Sequence, residues 1–315
     1  MAKLYKFLPL FGLALFIYIL SKVNLVLVKD TFLKMDLRFM LLAFALTLPS
    51  LFIKTAKWKQ LINPFKVKIS WIQGFKAWVA AFFIGLITPG RVGDLSRALY
   101  LKKEMPVGKA LTTVVVDRVL DVLVLMMLSG TGLLYILGHF VVNSKVPFFI
   151  AIMFLLFILA VAIFLKKGIA EKMLRPVFSF FVPEKYKDKL KASFKDFYDG
   201  ITVLKNNKLA IVKSGVLSLV AWFVVSLQYY LLARAMGIEI NYFILFMILP
   251  TVILVEILPI SFSGLGTRDA VLILFFSFVG LTKDAAVALS LSILMFSYIY
   301  SLAGLFVWMR NPIKL

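Results

Sequence analysis

Two stretches of this chain place proline, glycine and ionisable groups inside otherwise apolar sequence: Leu86-Ile87-Thr88-Pro89-Gly90-Arg91-Val92-Gly93-Asp94-Leu95-Ser96-Arg97 and Leu258-Pro259-Ile260-Ser261-Phe262-Ser263-Gly264-Leu265-Gly266-Thr267-Arg268-Asp269. Hydrocarbon offers no water to a freed backbone group, so a broken segment persists there only where protein or a wet cavity surrounds it. Paired interruptions in corresponding halves of a membrane protein therefore point to a substrate site. The turn positions are Pro89, Gly90 and Gly93 in the first break and Pro259, Gly264 and Gly266 in the second. Arginine beside such turns suits a phosphate-bearing headgroup, which its planar fork can grip through two hydrogen bonds.

Ionisable groups within or against the apolar segments are Lys76, Arg91, Asp94, Arg97, Asp117, Arg118, Asp121, Glu256, Arg268 and Asp269. Each costs a few kcal/mol, about 2.5–3.5 for a charge at mid-helix, unless it faces the interior and finds a partner. Asp117 and Asp121 are one helical turn apart on one face, and Arg118 is rotated off it. Glu256 sits one turn before Pro259. These groups read either as headgroup contacts or as an ion-pair network that fixes packing. A proton-coupled variant gives Glu256 or Asp117 the role of carrier.

The elements that must position these groups are membrane helices. Of 315 residues 62% are hydrophobic, and the charge of +21 comes from 36 Lys and Arg against 15 Asp and Glu. That is more charge than spans tolerate, so the excess belongs in loops and interfaces facing anionic lipid headgroups. Nucleic acid is the weaker reading and is not expected as a partner, because no soluble domain is left to read it. The absence of cysteine removes thiolate chemistry, and the lone His139 reads as interfacial, so no metal or cofactor is expected. Trp58, Trp71, Trp78, Trp222 and Trp308 read as interfacial anchors.

Apolar segments run over 7–20, 37–53, 69–87, 111–137, 146–165, 209–233, 242–259, 270–281 and 285–309. The first lacks a small-x-small cleavage site and reads as a retained span. The fold class is all-α: a polytopic helical membrane protein of about eight membrane segments, forming one integral membrane domain over 1–315. If all early segments cross, the basic stretch 166–213 falls outside, against the positive-inside rule. The conflict disappears if 69–101 is a re-entrant hairpin from the cytoplasmic side and 242–281 an opposed one from the outside. The first half is then 1–165 and the second 209–315, an inverted repeat of hairpin plus long helix. Both termini become cytoplasmic, and Lys54, Lys57, Lys59, Lys66 and Lys68 fall in a cytoplasmic loop. Between the halves, 166–208 is a basic cytoplasmic segment in which Tyr186, Leu190, Phe194, Phe197, Ile201 and Leu204 recur at helical spacing. Its helix suits either the headgroup layer or docking on the protein's own spans.

The segments Leu86 to Arg97, Val116-Asp117-Arg118-Val119-Leu120-Asp121 and Leu258 to Asp269 resemble the signature segments of the lysylphosphatidylglycerol synthase transmembrane family, over nearly the whole chain. The resemblance implies a flippase-like domain that moves aminoacylated phosphatidylglycerol between leaflets, with aminoacyl transfer left to a separate soluble domain. No such domain is expected after Met309, so the translocating half is implied without the synthetic half. Asp94 and Asp269 stand where the family usually has Glu, which keeps the charge and shortens its reach.

The expected function is a lipid translocase of flippase or scramblase type for an anionic or aminoacylated phospholipid or a polyprenyl-phosphate-linked lipid. The alternatives are a non-transporting membrane partner of a separately encoded lipid synthase or glycosyltransferase, and a glycosyltransferase-type membrane enzyme. Against the enzyme, there is no Asp-x-Asp motif, His cluster, Gly-rich phosphate loop or Ser-x-x-Lys. Oligomeric state is left open.

Overall fold

The computed structural model describes residues 8–140, 184–258 and 260–310, with isolated positions 152, 155, 156 and 159. Most of the expected segment 146–165, the first part of the basic segment and the turn position Pro259 lie outside the described residues. The regular structure among those described is helical, with no strand. Helices α1 (Leu8–Lys22), α2 (Leu25–Leu33), α3 (Leu37–Ala45) and α4 (Thr47–Ile62) lead to α5 (Trp71–Leu86), a 3-10 stretch Pro89–Ser96, α6 (Arg97–Tyr100) and α7 (Val107–Phe140). Then follow α8 (Glu184–Asn206), α9 (Lys208–Ala235), α10 (Tyr242–Ile257), α11 (Thr267–Phe278) and α12 (Lys283–Arg310). Four stretches are long and apolar enough to cross a bilayer: Leu37–Phe65, Val107–Ile136, Lys208–Ala235 and Lys283–Arg310.

Pro49 explains the step between α3 and α4. It has no N–H to donate to the carbonyl of Ala45, and the helix is interrupted at Leu46. Beyond it α4 continues to Ile62, so Lys54, Lys57 and Lys59 are helical, and the expectation that they lie in a loop is corrected. The buried face of α4 carries Ser50, Leu51, Thr55, Lys57, Trp58, Leu61 and Ile62, at spacings of three and four.

Two similar units dominate the packing. Each has a 16-residue helix (α5, α10), a break, a shorter helix and a long helix (α7, α12). They embrace reciprocally: α7 packs along α10, and α12 packs along α5. Glycine makes both contacts close. A Cβ at Gly132 of α7 would strike the Met247 carbonyl of α10, and one at Gly304 of α12 would strike the Val79 carbonyl of α5. Small residues that let backbones approach are the usual means of helix association in membranes.

Helix α8 docks on the N-terminal half of α7. Tyr198, Ile201 and Leu204 are buried, and Thr112 donates a 2.7 Å hydrogen bond to the Phe197 carbonyl. Lys191, Lys195 and Lys205 remain exposed on the outer side. Of the two settings open to this helix, docking on the protein's own spans is present.

Candidate functional site

Both breaks contain two consecutive residues with left-handed backbone: Gly90 (φ 60°) and Arg91 (φ 54°) in the first, Ser263 (φ 49°) and Gly264 (φ 78°) in the second. Glycine adopts this conformation freely, whereas Arg91 and Ser263 carry a cost of about 1 kcal/mol or more. Each of these two residues turns its side chain to the end of the helix that leads into the opposite break. Arg91 Nη2 donates to Glu256 Oε1 at 2.7 Å, and Ser263 Oγ donates to the Leu86 carbonyl at 2.6 Å. The chain doubles back tightly in both: a Cβ on Gly93 would hit the Ile84 carbonyl, and one on Gly264 would lie 2.8 Å from Glu256 Cγ.

From this junction an ion-paired cluster extends into the first unit. Lys57 Nζ lies 2.9 Å from Asp117 Oδ1 and 2.7 Å from Asp121 Oδ1, so the two carboxylates one turn apart on α7 close on one ammonium. Asp117 Oδ2 accepts from Arg97 Nη2 at 2.8 Å. Arg118, on another side of α7, reaches Asp94 Oδ2 at 2.6 Å. Ser218 of α9 donates to Asp121. The Arg97 guanidinium is sandwiched near two rings, 5.2 Å from the centroid of Trp58 and 5.9 Å from that of Trp78.

The second unit supplies a smaller group. Glu256 Oε2 is 3.5 Å from Arg268 Nη1, and Arg268 Nε donates to Ser290 Oγ at 2.8 Å. Asp269 turns back on its own chain, accepting the Gly266 N–H at 2.8 Å at the start of α11. Gly266 has φ 80° there.

Nine of the ten ionisable groups read from the sequence are thus gathered around the two breaks, although Asp269 binds backbone. Lys76 is not among them. It is exposed on the side of α5 opposite Gly74, Trp78 and Phe82. The ammonium that the carboxylates hold comes from Lys57, which sequence reading placed in a loop. Trp58 and Trp78 are likewise buried within the protein. The missing signal was the helical stripe of α4, on which Lys57 falls with Leu51, Trp58 and Leu61.

Beside the cluster a small cleft opens between α4, α5, α9, α10 and α12. Its walls include Lys54, Arg91, Trp222, Gln228, Glu256 and Tyr300. Arg91 therefore faces the cleft while bridging the breaks, with its side chain 25% exposed. The geometry brings a charged, donor-rich wall to an opening among apolar helices.

A family model described as the lysylphosphatidylglycerol synthase TM region matches residues 7–304. The chain is 30% identical over 305 residues to a UPF0104 membrane protein of Methanocaldococcus jannaschii, covering 92% of this chain and 88% of that one. A UPF0104 membrane protein of Pyrococcus horikoshii is 23% identical over 279 residues, covering 81% and 82%. One from Methanothermobacter thermautotrophicus is 21% identical over 276 residues, covering 83% and 81%. No solved structure matches. The chain belongs to the lysylphosphatidylglycerol synthase transmembrane family, and it is a multi-pass helical membrane protein.

Proposed function

We propose that this member of the family is a lipid translocase of flippase or scramblase type. It passes the headgroup of an anionic or aminoacylated phospholipid, or of a polyprenyl-phosphate-linked lipid, between leaflets at the junction of the two breaks. On this reading the broken units are opposed re-entrant hairpins of an inverted repeat, giving about eight membrane segments in the cell membrane with both termini cytoplasmic. The reciprocal packing of α7 on α10 and α12 on α5 supports that symmetry. The protein performs no bond chemistry of its own. Its partners are membrane lipids and, in the cell, a separately encoded enzyme that modifies them.

One observation carries the reading: the two breaks are tied to each other by Arg91–Glu256 and Ser263–Leu86, beside an open cleft. Buried ion pairs are no better at stabilising a fold than apolar side chains of similar volume. A cluster of this size next to strained backbone and an opening is therefore better explained by a charged ligand than by packing. Broken membrane backbone lining a cavity is the arrangement transporters use for substrates.

The test is leaflet exchange of labelled phospholipids by the purified protein in liposomes. Exchange above protein-free vesicles, slowed in a folded Glu256→Ala or Arg97→Ala variant, is expected. Vesicles in which every lipid class keeps its original leaflet refute translocation, and unaided turnover of a glycosyl or aminoacyl donor would make the protein an enzyme instead.

A further inference from the structure

We infer that the cleft is an oxyanion subsite in which Lys54 holds the phosphodiester of an anionic phospholipid headgroup and which turns away a headgroup made cationic by an aminoacyl ester. This rests on the translocase reading and narrows its substrate class.

The argument is one of charge and unspent donors. Three ionisable side chains line the cleft, two of them basic, Lys54 and Arg91, against the single carboxylate of Glu256. Both oxygens of Glu256 are engaged, Oε1 by Arg91 and Oε2 by Arg268. Lys54, one turn before Lys57 on α4, forms no salt bridge among the described residues, and the carboxylate that acts on it, Asp121, is already held by Lys57. Its ammonium instead lies 5.3 Å from the ring centroid of Trp78 and 6.0 Å from that of Trp222. Ring faces attract the ammonium without neutralising it.

Two residues that line the cleft also carry unspent donors. Trp222 Nε1 and Arg91 Nε are buried with no hydrogen-bond acceptor among the described residues. Gln228 has committed its amide hydrogens to the Ala43 carbonyl and Thr47 Oγ1. Buried donors left unmade are costly, and what would satisfy them is a group bearing acceptor oxygens. A phosphodiester brings two non-bridging oxygens and one negative charge, which matches the surplus. A lysyl ester of the same lipid carries two ammonium groups, is cationic overall, and would need a free carboxylate. Asp94, Asp117 and Asp121 are already paired with Arg118, Arg97 and Lys57.

Binding rather than transport tests this. The full-length protein, reconstituted in nanodiscs with equal amounts of phosphatidylglycerol, phosphatidylcholine and lysylphosphatidylglycerol, is analysed by native mass spectrometry for retained lipid. Phosphatidylglycerol is expected over the lysyl lipid by about tenfold or more, the scale of one charge-assisted hydrogen bond. Lys54→Gln should abolish that preference, Lys54→Arg should keep it, and Lys76→Gln on the outer side of α5 should leave it intact. Retention that resists excess inorganic phosphate identifies the lipid headgroup as the source of the anion; displacement by phosphate identifies the free anion, and both support the oxyanion site. Equal or stronger retention of the lysyl lipid, or an unchanged preference in folded Lys54→Gln, overturns it. Because binding is read separately, selective retention without leaflet exchange would refute translocation and leave the subsite standing.

Discussion

Arg91 and Glu256, 165 positions apart in sequence, meet at 2.7 Å and so lock the first broken segment to the second. Glu256 is buried, and its other oxygen serves Arg268, which is buried more deeply still. The two partners of this bridge should therefore answer differently to substitution. Arg91→Ala removes a partly exposed partner, with an expected loss of about 1.5–3 kcal/mol of stability and a clear loss of lipid exchange. Glu256→Ala strands the Arg268 guanidinium without a carboxylate and should cost about 3–5 kcal/mol. Thermal unfolding of the purified variants, read beside exchange rates in liposomes, separates these outcomes; equal destabilisation by both would contradict the asymmetry.

Lys57 should matter more to the fold than any other lysine in α4. It alone separates the carboxylates of Asp117 and Asp121, and its side chain is 2% exposed. Lys57→Met is expected to cost about 3–5 kcal/mol, since buried Asp117 and partly buried Asp121 would face each other with Arg97 as the remaining counter-ion. Adding Asp121→Asn should recover part of that loss, because one of the repelling charges goes. A double-mutant cycle on unfolding free energy measures the coupling. Strict additivity of the two changes would mean that the ammonium is not shared as described.

The breaks were legible in the sequence because proline, glycine and arginine cannot sit together in an ordinary span, and their left-handed pairs occur at or next to the expected turns. Asp117 and Asp121 were legible from the helical repeat. Lys54 and Lys57 were not, because the positive-inside rule counts lysines near span ends as loop charges, and the apolar segment stops at Ile53. Only the face of α4, shared with Leu51, Trp58 and Leu61, distinguishes a buried lysine from a loop lysine there. Lys76 failed in the opposite sense. It lies in an apolar segment, yet the buried face of α5 runs through Gly74, Ala77, Trp78, Ala81, Phe82 and Gly85, leaving position 76 outside. Membership of an apolar run does not say which side of the helix a charge occupies.

Docking of α8 depends on Gly200, where a Cβ would come 2.9 Å from Thr112 Cβ. Gly200→Val should lever the helix off α7 and break the Thr112 hydrogen bond to Phe197. Hydrogen exchange or limited proteolysis over 184–206 should then rise several-fold, while the ion-paired cluster, on the far side of α7 from α8, keeps its protection. Unchanged protection of α8 in that variant would show that the contact does not hold the helix.

The reciprocal embrace of the two units makes the most general prediction. Gly132 and Gly304 lie on α7 and α12, the long helices of different units, and each rests on a carbonyl of the other unit's 16-residue helix. Alanine at either position must push two backbones apart, with an expected cost of about 1–3 kcal/mol. Gly130, two residues from Gly132 on the same helix, faces open space, with nothing within 4 Å of where a methyl group would sit. Gly130→Ala should therefore be neutral or gain up to about 1 kcal/mol of helix propensity. If the two contacts are equivalent, Gly132→Ala and Gly304→Ala should lower the unfolding temperature by similar amounts and add in the double variant, because the sites share no partner. A large effect at one and none at the other would mean that one unit carries the packing and the other merely follows it. Replacing Gly130 serves as the internal control, since a drop in stability there would trace the effect to α7 itself rather than to its approach to α10.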